Sequence, residues 1–532
     1  MIPTKMRFAI AAALLLFWPT LFFAQETTAP GTALTRTKFD PPPQGERLLV
    51  FISDVHLGLG KQDETSWYAT EDFRWDDALQ GFLDHISEKG KHQVDLAVLG
   101  DFLEMWQPPA NVDCKGPNAN LGCTVSEMQE IATTVVRAHP KALQALRSFS
   151  QRGANRLHII PGNHDSALLL EPVWRPLGAA LQADSGRINF ITSGIWASRD
   201  GRILAEHGHQ IGSDVNRYDA WPTILGADKG KDFIVRPWGE RFVQKLFNSE
   251  EREYPIIDNL SPESAGARYR MADRGLWSSI ADVGRFILFN LFETSWSQKG
   301  YFLGPEAEAK ERPTWDLAVA RKMGHKLVAD SLDPNDPFRK ALLEDTDQAR
   351  ALRSELDALA RDPSSLSDSE VRLLCDQVAI RAGKDGPKCE PPHLGYLLES
   401  NLIPREWVLR EHLSRRLGEY PATRVFVYAH THQLEEEWGV DLTNPINVRI
   451  SVLNTGAFQR VIDEKGYLRR IEKNGLSAAE GLRKLPLDEL PPCYTTVIVP
   501  YENGLPKPVV KRWLMEEKGN GTLVDPGDAR CT

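Results

Sequence analysis

Five short apolar runs along the chain each end in a residue able to bind a metal or move a proton. Leu48-Leu49-Val50-Phe51-Ile52 leads into Ser53-Asp54-Val55-His56, and the run from Val94 to Leu99 leads into Gly100-Asp101. Leu157-His158-Ile159-Ile160 leads into Pro161-Gly162-Asn163-His164-Asp165, Ile203-Leu204-Ala205 into Glu206-His207, and Val425-Phe426-Val427-Tyr428 into Ala429-His430-Thr431-His432. Runs of this length between turn signals predict buried strands, and the helical periodicity between them predicts a layered α/β fold. Ligands in such sheets collect beyond the carboxyl ends of the strands, so these polar residues are expected to meet at one spot.

Between His207 and His430 the strand pattern lapses, and residues 211–420 read as a mainly helical insertion. Ala341 to Ala360 is amphipathic, and Ser367 to Ile380 reads as a capped helix. Leu276 to Trp296 is rich in aromatics, which points to a core helix of the insertion, with a weak membrane contact as the alternative. The expected organisation is therefore a first part of the main domain over residues 48–210, the insertion, and a last part with C-terminal strands over 421–532.

The amino terminus changes the picture of where the chain works. Lys5 and Arg7 precede an apolar stretch from Phe8 to Ala24, the layout of a secretory signal over residues 1–24, with an uncleaved membrane anchor as the alternative. A Thr- and Pro-rich linker follows over residues 25–47. The six cysteines are an even number and agree with an exported, oxidising setting, periplasmic or extracellular. Proximity suggests pairing Cys114 with Cys123, Cys375 with Cys389 and Cys493 with Cys531, out of 15 connectivities that six cysteines permit. A net charge of -10 with no basic run disfavours duplex nucleic acid as a partner.

Two metals held side by side need a bridging carboxylate, further oxygen and nitrogen donors, and open positions for water and substrate. Asp101 is the candidate bridge, since a carboxylate has two oxygens to share. Asp54, His56, Asn163, His207, His430 and His432 supply the remaining donors. Glu104 follows Asp101 at a spacing that suits an acid at a helix start, and His209 suits a place behind the ligands or beside substrate. Asn454-Thr455-Gly456 is expected to form a turn on the same rim.

Asp54-x-His56, Gly100-Asp101-x-x-Glu104, Gly162-Asn163-His164-Asp165, His207 and His430-x-His432 resemble the five ordered motifs of the calcineurin-like metallophosphoesterase superfamily. The resemblance implies an α/β fold, a four-layer αββα sandwich, here with a large mostly helical insertion. It implies two divalent ions (Mn, Fe or Zn), one held by Asp54, His56, Asp101 and His432, the other by Asp101, Asn163, His207 and His430. It further implies hydrolysis by metal-bound hydroxide, with His164 as proton donor beside the phosphate and Asp165 orienting its ring. Ala429 stands where the family usually has Gly, and Glu104 where many members have Asp.

The segments around Asp54 and Asp101 look similar to the UDP-2,3-diacylglucosamine hydrolase branch. That branch has Arg where His164 stands, so only the reaction class carries over: hydrolysis of a phosphomonoester, phosphodiester or pyrophosphate in a small-molecule, nucleotide or lipid-linked substrate. A non-catalytic metal-containing binding protein on the same fold is the alternative, and the complete donor set stands against it.

Overall fold

The computed structural model describes residues 47–211, 216–237, 239–240 and 405–531 except positions 119, 444 and 518, together with residues 253–261 and scattered positions elsewhere between 243 and 350. The signal and most of the linker, the aromatic stretch 276–296, the Cys375–Cys389 pair and nearly all of the two helices expected over 341–380 lie outside the described residues.

Two sheets make the frame. Their strands, in chain order, are β1 (Leu48–Ile52), β2 (Val94–Leu99), β3 (Arg156–Ile160), β4 (Ile188–Phe190), β5 (Ile195–Ala197), β6 (Ile203–Glu206), β7 (Val425–Tyr428), β8 (Leu434–Leu442), β9 (Val448–Thr455), β10 (Cys493–Val499), β11 (Val509–Met515) and β12 (Gly521–Val524). The first sheet runs β12-β11-β10-β1-β2-β3-β4, and the second runs β8-β9-β7-β6-β5. β1 through β4 are mutually parallel, as are β6, β7 and β9, so each sheet presents adjacent carboxyl ends along one edge.

Alternation along the strands builds three apolar layers. Phe51, Leu99, Val427, Leu453 and Val497 face one another between the sheets, with Phe51 meeting Trp196 edge-on at 5.3 Å between ring centroids. Their neighbours Val50, Ile52, Leu96 and Val98 point the other way, onto helices α1 (Asp76–Lys89), α2 (Val125–Ala138), α3 (Pro140–Gln151) and α4 (Glu171–Leu181). Leu204, Phe426 and Val452 likewise face outward onto Leu409, Leu413 and Leu417 of α5 (Arg405–Glu419). Helix, sheet, sheet and helix thus stack in four layers, as the α/β expectation required.

Local chemistry starts the helices where the strands stop. Thr124 caps α2 in a reciprocal box with Glu127, and Pro140 opens α3, where its missing N–H costs nothing. At the edges of the expected insertion, α5 completes the fourth layer, and strands Leu225–Asp228 and Lys231–Val235 form a small sheet with Leu121–Thr124. Disulfides join Cys114 to Cys123 and Cys493 to Cys531, the pairings that proximity suggested. Among the described residues no helix is long and apolar enough to cross a membrane.

Candidate metal centre

Beyond their carboxyl ends the parallel strands continue to pair as loops. Asp54 N donates to Gly100 O at 3.1 Å, His56 N to Asp101 O at 3.0 Å, and Ala429 N to His207 O at 2.8 Å. Ser53 bridges the two sheets through its hydroxyl contact with Thr455 Oγ1 at 2.6 Å. Close approach is built in by glycine: a Cβ on Gly100 would lie 2.5 Å from His207 Nδ1, and one on Gly162 would lie 2.2 Å from Asp101 Oδ1. Asp54, His56, Asp101, His430 and His432 all hold left-handed backbone, with φ of 49°, 48°, 48°, 76° and 51°. Backbone of this kind gathers at sites that surrounding structure constrains.

The structure brings the predicted donors together in two groups. Asp54, His56 and His432 place ligand atoms within 4.8 Å of one another, and so do Asp101, His207 and His430. His207 Nε2 stands 3.1 Å from Asp101 Oδ2 and 2.9 Å from Asn163 Oδ1, which joins Asn163 to the second group. His56 Nε2 lies 3.9 Å from Asp101 Oδ2, so Asp101 stands between the groups.

Two ring nitrogens turned away from this centre are occupied. His56 Nδ1 pairs with Glu104 Oε2 at 2.9 Å, and His207 Nδ1 with Leu99 O at 2.6 Å. That arrangement leaves each Nε2 for the centre, the usual design for a metal-bound imidazole. His56 Nε2 is buried without a hydrogen bond, an orphan that a divalent ion would satisfy, and the carboxylate, amide and imidazole donors suit Mn, Fe or Zn. The residues present therefore fit divalent metal.

Electrostatics agree with a cation-binding centre. Burial opposes ionisation of Asp101, yet the charges of His207 and His164 hold its carboxyl well below the usual range. Burial would lower His207, but Asp101 overrides it and lifts the imidazole to about 9. Asp54 is likewise buried, and His432 keeps its pKa depressed.

His164 is oriented differently from the expectation. Its Nδ1 pairs with Glu104 Oε2 at 2.6 Å, so one carboxylate oxygen serves both His56 and His164. Asp165 does not orient the ring: its oxygens accept from the backbone of Gly162, Phe102 and Leu103 at 2.7, 2.9 and 3.3 Å, tying the second loop to the third. Burial, and then Asp101, raise the Asp165 carboxyl to about 6. Glu104 does not begin a helix either; no helix follows Asp101 before the disulfide loop. Burial disfavours its charge, but His164 and His56 bring it to about 2, so it is an ionised acceptor.

His209 lies behind the donors, fully buried, its ring 5.4 Å from that of His207 and 4.5 Å from Trp221. Burial and the charges of His207 and His430 press its pKa well below the ordinary value, so it stays neutral. Asn454 is buried and donates to Ala429 O and Thr431 Oγ1, bracing the His430–His432 loop rather than lining an open rim. Sequence reasoning missed Trp106, whose ring stacks on His164 at 3.9 Å, and Tyr218, which donates to Asn163 O at 3.2 Å. Trp106 sits two residues past Glu104, the end of the second motif, a nearness that could have flagged it; Tyr218 carries no motif.

No curated protein matches the chain. Residues 48–288 match the family model for calcineurin-like phosphoesterases, which takes in four of the five donor-bearing strand ends, while the His430–His432 loop joins the same centre from beyond the matched span. With the four-layer frame and the paired donor groups, that match identifies residues 48–288 as a calcineurin-like phosphoesterase domain.

Proposed function

We propose that this chain is an exported phosphoesterase that uses two divalent ions to hydrolyse a phosphoric ester or anhydride in a small-molecule, nucleotide or lipid-linked substrate. The observation that carries the reading is the convergence of seven donors in two groups with Asp101 between them, and with His56 Nε2 left buried and without a hydrogen bond. Asp54, His56, Asp101 and His432 would hold one ion, and Asp101, Asn163, His207 and His430 the other. Bound there, divalent ions would acidify a water molecule and neutralise charge on the phosphoryl oxygens.

The chain's own part is orientation and proton transfer. Glu104 fixes Nδ1 of His164, which leaves Nε2 as the nitrogen that gives a proton to the departing oxygen while water adds to phosphorus. Trp106 stacks on the same ring, and an aromatic face favours a cationic imidazole. Both disulfides agree with an oxidising compartment after export.

The test is hydrolysis of nitrophenyl phosphate mono- and diesters by the manganese-loaded protein, with Asp101→Ala as control. Turnover in the parent, with bound metal falling from about two per chain to a trace in the variant, is expected. Equal activity in variant and parent would remove the assignment and leave the binding-protein alternative standing.

A further inference from the structure

The strip that holds His164 continues into a second cluster that the metal centre does not use. Trp106 stacks on His164, its carbonyl accepts from Asn248 Nδ2 at 3.3 Å, and the next residue, Gln107, donates from Nε2 to Glu251 Oε1 at 3.1 Å. Gln107 and Glu251 are 4% and 3% exposed, yet Gln107 Oε1 and Glu251 Oε2 have no hydrogen-bond partner. Asn248 Oδ1 is a third buried acceptor in that condition. Asp258 lies within charge range of Glu251 and Asp72 within charge range of both, and Asp72 and Asp258 are half-buried. Glu104, which grips His164, is within charge range of Asp72 and Glu251.

Buried acceptors without donors are costly, and several carboxylates beside them ask for a cation. Burial and mutual repulsion raise both Asp72 and Glu251 well above the ordinary carboxylate range. A chelated metal ion fits poorly. Among the described residues, every grouping of three metal-type side chains with ligand atoms within 4.8 Å belongs to the centre already described, and these three acids form no such group. Acceptors spread more widely suit an ammonium, whose three N–H donors reach separate oxygens.

We propose that Glu251, Gln107, Asp72 and Asp258 form a subsite for a primary ammonium on the substrate's alcohol, so that the preferred substrates are phosphoesters of short amino alcohols. The inference rests on the phosphoesterase reading, because it needs the phosphorus at the metal pair. Gln107 lies three positions after Glu104, at most about 10 Å of chain, so the ammonium sits a few bonds from the ester oxygen.

The experiment compares 2-aminoethylphosphonate with ethylphosphonate, which differ only in the ammonium and whose P–C bonds resist hydrolysis. Binding of each to the full-length, manganese-loaded protein is measured by titration calorimetry. The amino compound is expected to bind at least about tenfold more tightly, the scale of a charge-assisted hydrogen bond. Glu251→Gln and, separately, Asp72→Asn should bring that ratio down toward one. Reading the ratio within each variant cancels any general loss from damaged folding or metal content. A ratio near one in the parent, or one that neither variant changes, would overturn the subsite. The nitrophenyl assay separates the two readings: no turnover with the binding preference intact overturns hydrolysis alone, and turnover without the preference overturns the subsite alone.

Discussion

His56 divides its ring between two tasks, Nδ1 to Glu104 and Nε2 to the centre, and Glu104 divides one oxygen between His56 and His164. Loosening that carboxylate should therefore disturb metal affinity and proton transfer together. Glu104→Gln is expected to lower metal affinity or kcat by about 10- to 100-fold, the usual cost of losing a partner that orients a ligand. Metal titration alongside steady-state kinetics checks this; an effect on neither would remove Glu104 from the machinery. At this scale the donors were legible in sequence because each stands at a strand end, in a spacing that local geometry explains. The partner of His164 was not. Asp165 is its chain neighbour, but neighbouring residues at the end of a strand point apart, and Glu104 reaches the ring from 60 positions away.

Elements hold their places through buried ion pairs that no motif announces. Arg47, just before β1, donates to both oxygens of Asp95 on β2 and to Ala154 O ahead of β3, clamping three strands of the first sheet at the edge opposite the clustered donors. Burial would raise Asp95, but His158 and Arg47 bring it from 3.8 down to about 2. A depressed folded-state pKa means stability that is present above the ordinary carboxylate range and lost as pH falls through about 2. The shift corresponds to about 2 kcal/mol. Urea unfolding should show Asp95→Asn markedly less stable than the parent at pH 7, with the gap narrowing toward pH 2. In the second sheet, Glu206 on β6 accepts from His412 at 2.6 Å and from Arg416 at 2.8 Å, tying α5 down beside His207. Arg416→Ala strands that buried carboxylate and should cost about 3–5 kcal/mol by denaturant unfolding. A change below about 1 kcal/mol would mean that His412 and solvent suffice.

Across the whole molecule the donors span Asp54 to His432, so the unfolded chain offers no comparable site and metal binding stabilises only the native state. Chelation should lower the melting temperature, and manganese at about 100 times its dissociation constant should restore about 2.7 kcal/mol. Calorimetric melts before and after chelation check this; an unchanged melt would show that the donors close up without metal. The match to the phosphoesterase family ends at residue 288, yet β7 returns between β6 and β9 and delivers His430 and His432 to the first sheet's ligands. Whatever the chain does between these points, the parallel pairing of β6 with β7 is what closes the site.

The sequence alone determined five buried strands and the donor at the end of each, because these depend on residues a few positions apart. Tertiary structure decided the rest. Which acid grips His164, that Asp165 stitches loops instead, and that Gln107 meets Glu251 are contacts between residues 60, 63 and 144 positions apart. Such meetings depend on how loops register once both sheets have stacked, and no local pattern of hydrophobic and polar residues encodes that.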